Sequence, residues 1–571
     1  EGHAKQRALA KERRAAKPNA DSIARSKQIW ERLRRKSHVP LDERQKLVGE
    51  LFTLISGRVS DFVFKHDSVR VVQCALKYAN PSQREMIVNE LQGSVVPLAE
   101  SKYGKFLVAK MVVEGNRGIK DTIIPQFYGH VKRLINHAEA GWILDDIYRQ
   151  VATKDQKTRL LQEWFGAEFA MADSPIGDLS SVLNQSPEKR KPVLSHLHKT
   201  ISTLVGKQMT GFTMLHDAMW QYYTTLDPAS DSHAEFLELL RSDIETAAEG
   251  DSSTGGDLLR NLAFTHSGSR LVCHALAHGT AKSRKAILKC YKDAVSIMAY
   301  DSNASLVLLT ALDVVDDTKL SAKTILADVL AVDGKEADGK EVDSKKVEER
   351  LNRREAALTN LSARCVALWP LLAESSSGGS ALPETANFLL PPTEREFISS
   401  LRAIRSTSSK KDPQTRASEL RAYASPLLLE LAEKRAAALS LTSFGCRCLA
   451  EILLCAQGEK CGAKISVAKL AEGVERAGCQ RNRHVDRMFK TLLLGGHFNP
   501  ATKQVDLVHP RLCFADVFFP AIKGQLVEWT TSPSSFVVVA LLESPDVGDV
   551  IKAQARKILS KNAKKVEAVK E

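Results

Sequence analysis

Basic side chains recur at the beginning of successive apolar segments in the first third of the chain. They occur in three pairs: Lys65 with Arg70, Lys102 with Lys105, and Lys132 with Arg133. Ammonium and guanidinium groups at repeated positions are the chemistry that binds the phosphates of a polyanion. If the segments repeat one unit, equivalent positions line one surface, and the pattern predicts a phosphate-binding stripe. The alternative is a set of dispersed charges that water solvates.

A second basic cluster stands closer to the N-terminus, just after Trp30. Its members are Arg32, Arg34, Arg35 and Lys36. We expect the arginines to contact phosphates and Trp30 to pack against the first repeat; the alternative is an ordinary surface helix. The net charge of +13 is concentrated at the two ends and over the first helices, with +7 in residues 1–50, +4 in 51–140 and +5 in 552–571. This distribution favours a polyanionic partner over solvated tails.

No constellation of residues indicates catalysis or a bound cofactor. The sequence lacks GxxxxGK[ST], a GxGxxG within a βα unit, and HExxH. Cys479 and His484 have no second pair at metal-ligand spacing, and ten cysteines without a CxxC pair indicate reduced, buried thiols. We therefore expect no enzyme, no metal site and no cofactor. An apolar run of about eighteen residues is absent, so no membrane partner is expected.

Amphipathic helices are the elements that position these side chains. In HDSVRVVQCALKYANPSQR, residues 66–84, the apolar residues recur at helical spacing and Asn80-Pro81 ends the helix. The same polar tip and apolar stripe recur every 36 residues, with the third tip residue at Val69, Lys105, Gly141, Gly177 and Thr213. Further copies follow at Ser269 and Ala304 after an insertion near 227–256, and weaker ones at Ala363, Cys446, Cys513 and Ser535. A fixed period of this size indicates a solenoid.

The repeats divide the chain into five predicted regions. They are a basic helical extension (1–50), a first repeat array (51–332), a charged linker (333–350), a degenerate second array (351–551) and a basic tail (552–571). Segments 375–380 and 405–412 have the composition of loops. Strand-like alternation is absent throughout, so the predicted fold class is all-α, with about eleven repeats.

Three repeat helices, HDSVRVVQ, HSGSRLVC and FGCRCLAE, resemble the RNA-facing helix of Pumilio (PUF) repeats. There, two residues one turn apart grip the edge of one base, and a residue between them stacks on it. The corresponding sets here are Val69–Arg70–Gln73, Ser269–Arg270–Cys273 and Cys446–Arg447–Ala450. By this resemblance we expect RNA contacts from Val69, Arg70, Gln73, Ser269 and Arg270.

Longer strings, among them KQIWERLRRKSHVPLDERQKLVGELFTLISGRV and HAEAGWILDDIY, are similar to the Puf-A (Penguin-like) branch of the Pumilio superfamily. The resemblance covers about residues 22–550. It implies a right-handed α-solenoid of about eleven repeats, bent or L-shaped. It also implies a monomeric protein of the nucleus and nucleolus that binds structured pre-rRNA, beside assembly factors and ribosomal proteins, during biogenesis of the large (60S) subunit. Fungal relatives are additionally linked to translational repression of a localised messenger RNA.

The sequence departs from the Pumilio pattern in four consecutive repeats. Small, apolar or acidic residues replace the edge-reading Gln or Glu in the sets that begin at Lys105, Gly141, Gly177 and Thr213. A code of one base per repeat therefore cannot run along the helices, and contacts to phosphate and RNA shape are expected instead. Two alternatives stay open: a sequence-specific repressor of messenger RNA, and an armadillo- or HEAT-like scaffold for protein partners.

Overall fold

A computed structural model of the chain describes residues 20–35, 38–170, 177–248, 256–332, 344–372, 384–474, 482–499 and 502–563, and the single residues 6, 9 and 382. The chain forms two compact units, residues 1–236 and 237–571. Each unit is a stack of short helices, and the predicted all-α solenoid is confirmed.

The first unit consists of helices joined by short turns. In chain order they are α1 (Ala20–Leu33), α2 (Leu41–Ile55), α3 (Val59–Val63), α4 (His66–Tyr78), α5 (Pro81–Glu90), α6 (Val95–Glu100), α7 (Lys105–Glu114), α8 (Arg117–Ile123), α9 (Val131–Ile135), α10 (Ala140–Gln150), α11 (Lys154–Gln162), α12 (Ala167–Ala170), α13 (Leu179–Gln185), α14 (Arg190–Gly206) and α15 (Thr213–Thr225), and α16 (Asp231–Ala248) crosses into the second unit.

The second unit continues with helices and one hairpin. The helices are α17 (Asp257–Ala263), α18 (His266–His278), α19 (Ala281–Tyr291), α20 (Val295–Tyr300), α21 (Ala304–Val314), α22 (Thr318–Ser321), α23 (Ala327–Val329), α24 (Ser344–Thr359), α25 (Ala363–Leu368), α26 (Pro392–Ser408), α27 (Pro413–Ser440), α28 (Ser443–Cys455), α29 (Cys461–Ala468), α30 (Arg483–Leu494), α31 (Ala515–Ile522), α32 (Leu526–Thr531), α33 (Ser535–Glu543) and α34 (Asp549–Lys561). The strands are β1 (Gly496–Asn499) and β2 (Gln504–Leu507), which pair antiparallel.

The repeat helices begin and end where the sequence pattern places them. Helix α4 ends at Tyr78, and Asn80 then caps α5 through a reciprocal capping box with Gln83, whose backbone N–H donates to the Asn80 side chain at 2.8 Å. Lys105, Thr213 and Ala304 are the first residues of α7, α15 and α21. The polar tip of each repeat is therefore a helix start, which brings the residues after it to one surface.

Glycines with positive φ join neighbouring repeats at a second set of equivalent positions. Gly57, Gly93 and Gly129 lie 36 residues apart and have φ angles of +72°, +82° and +80°. The backbone N–H of each donates to a side chain from the following repeat: Gly57 to Glu90 at 2.6 Å, Gly93 to Gln126 at 2.9 Å and Gly129 to Glu163 at 2.7 Å. Only glycine takes this conformation without strain, so these turns fix the stacking of the first repeats.

Several segments that composition assigned to a linker, a loop or a tail contain helix. Residues 344–350 of the predicted linker belong to α24, and residues 405–408 of a predicted loop belong to α26; residues 333–343 and 375–380 lie outside the described residues. Residues 552–561 of the predicted tail are part of α34. The β1–β2 hairpin contradicts the expectation of no strands. Across the described helices, none is both long and apolar enough to cross a membrane.

Candidate nucleic-acid interface

The equivalent helices of three successive repeats in the first unit expose large side chains at the same repeat position. Arg70 on α4, Phe106 on α7 and Trp142 on α10 each follow the landmark residue of their repeat, and α7 packs between α4 and α10. Arg70 is exposed, Phe106 is 56% exposed and Trp142 is 54% exposed. Exposed aromatic rings beside a cation are the groups that stack on bases and bind backbone phosphates.

The rings at this face are held in place by their neighbours. The Trp142 ring packs edge-on against the buried Phe212 ring, with centroids 4.8 Å apart. Tyr103, at the tip before α7, packs edge-on against His66 of the preceding repeat at 4.2 Å. Fixed rings lose little conformational entropy when a ligand stacks on them. We name the surface formed by Lys65, Arg70, Lys102, Phe106 and Trp142 the open face.

The predicted cations of the phosphate stripe fall into two groups. Lys65, Arg70 and Lys102 are exposed and form no ion pair with a side chain that the structure describes. Lys102 lies over the Tyr103 ring at 5.9 Å and, after Lys105, helps to hold the pKa of the Glu139 carboxyl below its usual value. Lys105 is half-buried, and its Nζ lies 2.5 Å from Glu139 Oε2 and 5.0 Å from the centroid of Phe106. The first group is free to meet phosphates, and Lys105 is already neutralised.

Lys132 and Arg133 are also engaged within the unit. Lys132 Nζ donates to His196 Nε2 at 2.8 Å, since Nδ1 of that ring lies 3.0 Å from the Trp164 carbonyl. Arg133 pairs with Glu100 at 2.8 Å. Both side chains are exposed, so they can still attract an anion, but a phosphate would compete with an existing partner.

The base-reading set that begins at Val69 is incomplete in the structure. Val69 is 1% exposed because its side chain packs in the apolar interior of the repeat, and this burial disfavours the predicted RNA contact. Gln73 is half-buried and Arg70 is exposed. Gly141 has no room for a reading side chain, because a Cβ there would lie 2.9 Å from the Ile135 carbonyl oxygen.

The acidic residues at the fifth position of the base-reading sets form hydrogen bonds within the first unit. Asp145 is buried, and its Oδ1 accepts the backbone N–H of Met214 at 2.9 Å, which links α10 to the start of α15. Burial raises the pKa of the Asp145 carboxyl to about 6, although the Met214 N–H lowers it. Asp217 accepts the Tyr148 hydroxyl at 2.6 Å. These carboxylates bind groups of another repeat, which explains why they are not base readers.

Some of the N-terminal arginines form ion pairs that join α1 to α2. Arg32 donates to Glu43 at 2.9 and 3.2 Å, and Arg25 donates to Glu50 at 2.6 and 2.9 Å, so two forked pairs join α1 to α2. Arg34 lies 3.1 Å from Glu31 and over the Trp30 ring at 5.3 Å. Arg35 is exposed, while Lys36 lies outside the described residues.

In the second unit, a later helix covers the equivalent surface. Arg270 Nη2 lies 2.8 Å from Glu394, and its guanidinium lies 5.2 Å from the centroid of Phe397; both partners belong to α26. Ser269 is fully buried and donates to the His266 carbonyl at 3.1 Å. The predicted RNA contacts of Ser269 and Arg270 are therefore disfavoured, because Ser269 is buried and α26 already engages Arg270.

A buried ion pair fastens α26 in that position. Arg402 donates to both carboxylate oxygens of Asp313, on α21, at 2.6 and 3.0 Å. Arg405 donates to the Asp313 carbonyl at 3.3 Å. Every residue of α21 is buried, so this repeat presents no surface to a ligand. Of the two Pumilio-like arginines weighed as RNA contacts, only Arg70 remains accessible.

Sequence reasoning missed the exposed aromatic residues as binding candidates. Phe106 and Trp142 lie within apolar segments and were expected to break the base-reading sets, and Phe64, at the tip before α4, is 52% exposed. A usable signal was present: at intervals of 36 residues, the position after the landmark is Arg70, Phe106 and Trp142, which are all side chains able to stack on a base.

Comparisons with known proteins identify the family of this chain. The model of the CPL (NUC119) domain matches residues 382–503, which include α26. Pumilio homology domain family member 6 of Schizosaccharomyces pombe is 33% identical, over 98% of this chain and 80% of the relative; its Saccharomyces cerevisiae namesake is 30% identical, over 95% and 78%.

Two solved structures of human Puf-A also match. Puf-A alone has a TM-score of 0.72 at 27% identity, covering 96% of this chain and 99% of that one. Puf-A in complex with DNA has a TM-score of 0.71 at 27% identity, with coverage of 97% and 99%. The chain belongs to the Pumilio homology domain family member 6 and Puf-A family of Pumilio-repeat proteins.

Proposed function

We propose that this chain binds structured RNA through the open face of its first unit, without chemistry of its own. The observation on which the proposal rests is the row Arg70, Phe106 and Trp142, exposed on the equivalent helices of three successive repeats and flanked by the exposed cations Lys65 and Lys102. The description of a solved human Puf-A structure as a complex with DNA supports a nucleic-acid ligand.

Contacts to phosphate and shape, with stacking on unpaired bases, fit this face better than a sequence code. Gln73 is the one Gln at the fifth position of the sets in the first unit, where the other sets carry Ala109, Asp145, Ser181 and Asp217. Phosphate contacts do not distinguish sequences, and aromatic stacking accepts every base. A helical RNA with a bulge or an end offers both kinds of group at once.

We further propose that this RNA is precursor rRNA of the large ribosomal subunit, that the chain acts in the nucleolus beside ribosomal proteins and assembly factors, and that the second unit is a scaffold. Family membership and the basic N-terminal region support this part. Because α26 covers the equivalent surface of the second unit, that unit is better suited to binding proteins than to binding RNA.

The proposal is tested by measuring the affinity of the full chain for three RNAs across a salt series. The RNAs are a helix with a bulge, a single strand bearing a Pumilio element, and an unrelated strand of the same length. We expect the helix to bind tightest, with affinity falling steeply as salt rises. Changing Lys65→Glu, Arg70→Glu and Lys102→Glu together should reduce the salt slope by about 2–3, close to one per lost phosphate contact.

Arg117→Glu is the matched control, because Arg117 is equally exposed but lies on α8 and pairs with Asp121 at 2.6 Å. This variant should have the same salt slope as the wild type. If the triple variant keeps the wild-type slope, the open face is not the binding surface. A strong preference for the Pumilio element would favour the messenger-RNA repressor, and failure to bind any RNA would favour the protein scaffold.

A further inference from the structure

A thiol, an imidazole and a carboxylate converge in the second unit, in a place unrelated to the open face. Glu451 and Cys455 lie one turn apart on α28, and His497 lies on β1. His497 Nε2 is 2.8 Å from Glu451 Oε2, and Cys455 Sγ is 3.8 Å from the same oxygen. The three ligand atoms all lie within 4.8 Å of one another, and all three residues are half-buried.

Both elements that bring these atoms together are specified locally. Residues four apart on a helix share a face, so α28 presents Glu451 and Cys455 side by side. The hairpin turns toward them through Gly495, whose φ is +68°, and Gly496, where a Cβ would lie 2.1 Å from the Asp506 carbonyl oxygen. No sequence motif links Cys455 to His497, which explains why the spacing of cysteines and histidines did not predict the cluster.

We propose that Glu451, Cys455 and His497 bind a zinc ion. Sulfur, nitrogen and a single carboxylate oxygen form a ligand set typical of Zn²⁺, whereas Mg²⁺ and Ca²⁺ prefer oxygen alone. With bonds of about 2.0–2.3 Å, a tetrahedral ion separates its ligand atoms by about 3.3–3.8 Å. The Cys455–Glu451 separation already fits, and the His497–Glu451 contact opens slightly to admit the ion.

Charge and surroundings suit a divalent cation. One thiolate and one carboxylate neutralise Zn²⁺, and water completes the coordination. The nearby cation of Lys460 is occupied by the Leu453 and Leu454 carbonyls, at 2.8 and 3.2 Å, so it does not fill the cluster. Asp506 lies directly across the ladder from His497, and a carboxylate in that place is the kind of group that orients a metal-bound imidazole.

The ion would fasten the hairpin to α28. A two-stranded hairpin has little stability alone, and β1–β2 is the sole pair of strands among the described residues. Without metal, the hairpin is held to α28 at this point by the His497–Glu451 ion pair. Zinc would replace that single contact by bonds to three side chains, independently of RNA binding.

The test uses the full chain without an affinity tag, stripped of metal under reducing conditions. Zinc affinity is measured in competition with a chromophoric chelator, and Co²⁺ is added as a spectroscopic probe. We expect one zinc per chain and the thiolate-to-cobalt charge-transfer band with the visible bands of four-coordinate cobalt. Cys455→Ser and His497→Ala should each remove both signals, whereas Cys461→Ser, which changes an exposed thiol of the same unit, should keep them.

Hydrogen exchange with and without zinc gives a second readout. At free zinc near 100 times its dissociation constant, hairpin amides that exchange by detachment should slow about 100-fold in the wild type. The slowing should vanish in His497→Ala. The proposal is overturned if wild-type chain binds no more zinc than the Cys455→Ser/His497→Ala double variant, or if the cobalt complex lacks the thiolate band.

Discussion

The ion pair between α21 and α26 predicts a large, local loss of stability when its carboxylate is neutralised. The Asp313 and Arg402 side chains are 6% and 3% exposed and are joined by two hydrogen bonds of 2.6 and 3.0 Å. Asp313→Asn keeps the shape but leaves Arg402 and Arg405 without their counter-charge. Removing one partner of a buried pair costs about 3–5 kcal/mol. The equilibrium population of chains with α26 detached should therefore rise by a factor of about 100 or more.

The pH dependence of this loss has a definite sign. Burial acts to raise the pKa of the Asp313 carboxyl, but Arg402, with Arg405 and Arg416, holds that pKa below its usual value. A depressed pKa stabilises the folded chain above the unfolded-state pKa of about 4, and this contribution disappears as the pH falls through the folded-state pKa. The deficit of Asp313→Asn should therefore stay constant from about pH 5 to 8 and shrink only in stronger acid.

Hydrogen exchange over residues 392–408, read by mass spectrometry, measures the opening of α26 directly, and urea unfolding measures its effect on the unit. Asp328→Asn is the matched control, because Asp328 meets Arg353 at 3.7 Å on the surface. An exposed pair contributes about 1 kcal/mol or less, so the control should exchange as the wild type does. If α26 exchanges at the wild-type rate in Asp313→Asn, the buried pair does not hold the helix and the reasoning fails.

Three further changes test other parts of the structure. Burial raises the pKa of Glu163 to about 7, so ionising it between about pH 4.5 and 7 favours the unfolded chain. The free energy of unfolding of Glu163→Gln, measured in urea relative to wild type, should therefore rise by about 1–2 kcal/mol between pH 5 and pH 8; a difference that stays constant with pH would contradict this. Gly129→Ala should cost about 1–2 kcal/mol because its φ is +80°, while Gly49→Ala, inside α2 with open space around its Cβ, should gain about 0.5–1 kcal/mol. Trp142→Ala should weaken RNA binding by about 1–3 kcal/mol with no change in salt slope, and an altered slope would mean that the ring does not act by stacking.

Local patterns predicted the repeat helices because the residues that begin and end each helix lie within or next to it in the sequence. The apolar stripe of α4, its end before Asn80-Pro81 and the period of 36 residues are all properties of short stretches of sequence. The same reasoning failed for α26, because Arg402 and Arg405 look like surface residues unless their partner is known. That partner, Asp313, lies 89 residues away from Arg402, and no local pattern reveals it.

The charge map of the sequence indicated a region for the candidate interface but not the state of each cation there. It pointed to the first repeats, where Lys65, Arg70 and Lys102 are exposed. Charge alone did not reveal that Lys105 pairs with Glu139, a contact between adjacent repeats. Nor did hydropathy separate an exposed Trp142 from a core residue, because both occupy apolar positions along a helix.

Arg70 and Arg270 show why a repeat motif alone does not assign a ligand contact. Both follow the landmark of a Pumilio-like helix, yet Arg70 is exposed and Arg270 is paired with Glu394, which lies 124 residues further along the chain. A solenoid repeats one surface, and any later segment of complementary charge and shape can occupy it before a ligand does. Helix α26 meets that description, with Glu394 for the guanidinium and Phe397 for its flat face. The motif therefore specifies a surface able to bind a planar, negatively charged group, and the rest of the chain decides whether that group is RNA or the protein itself.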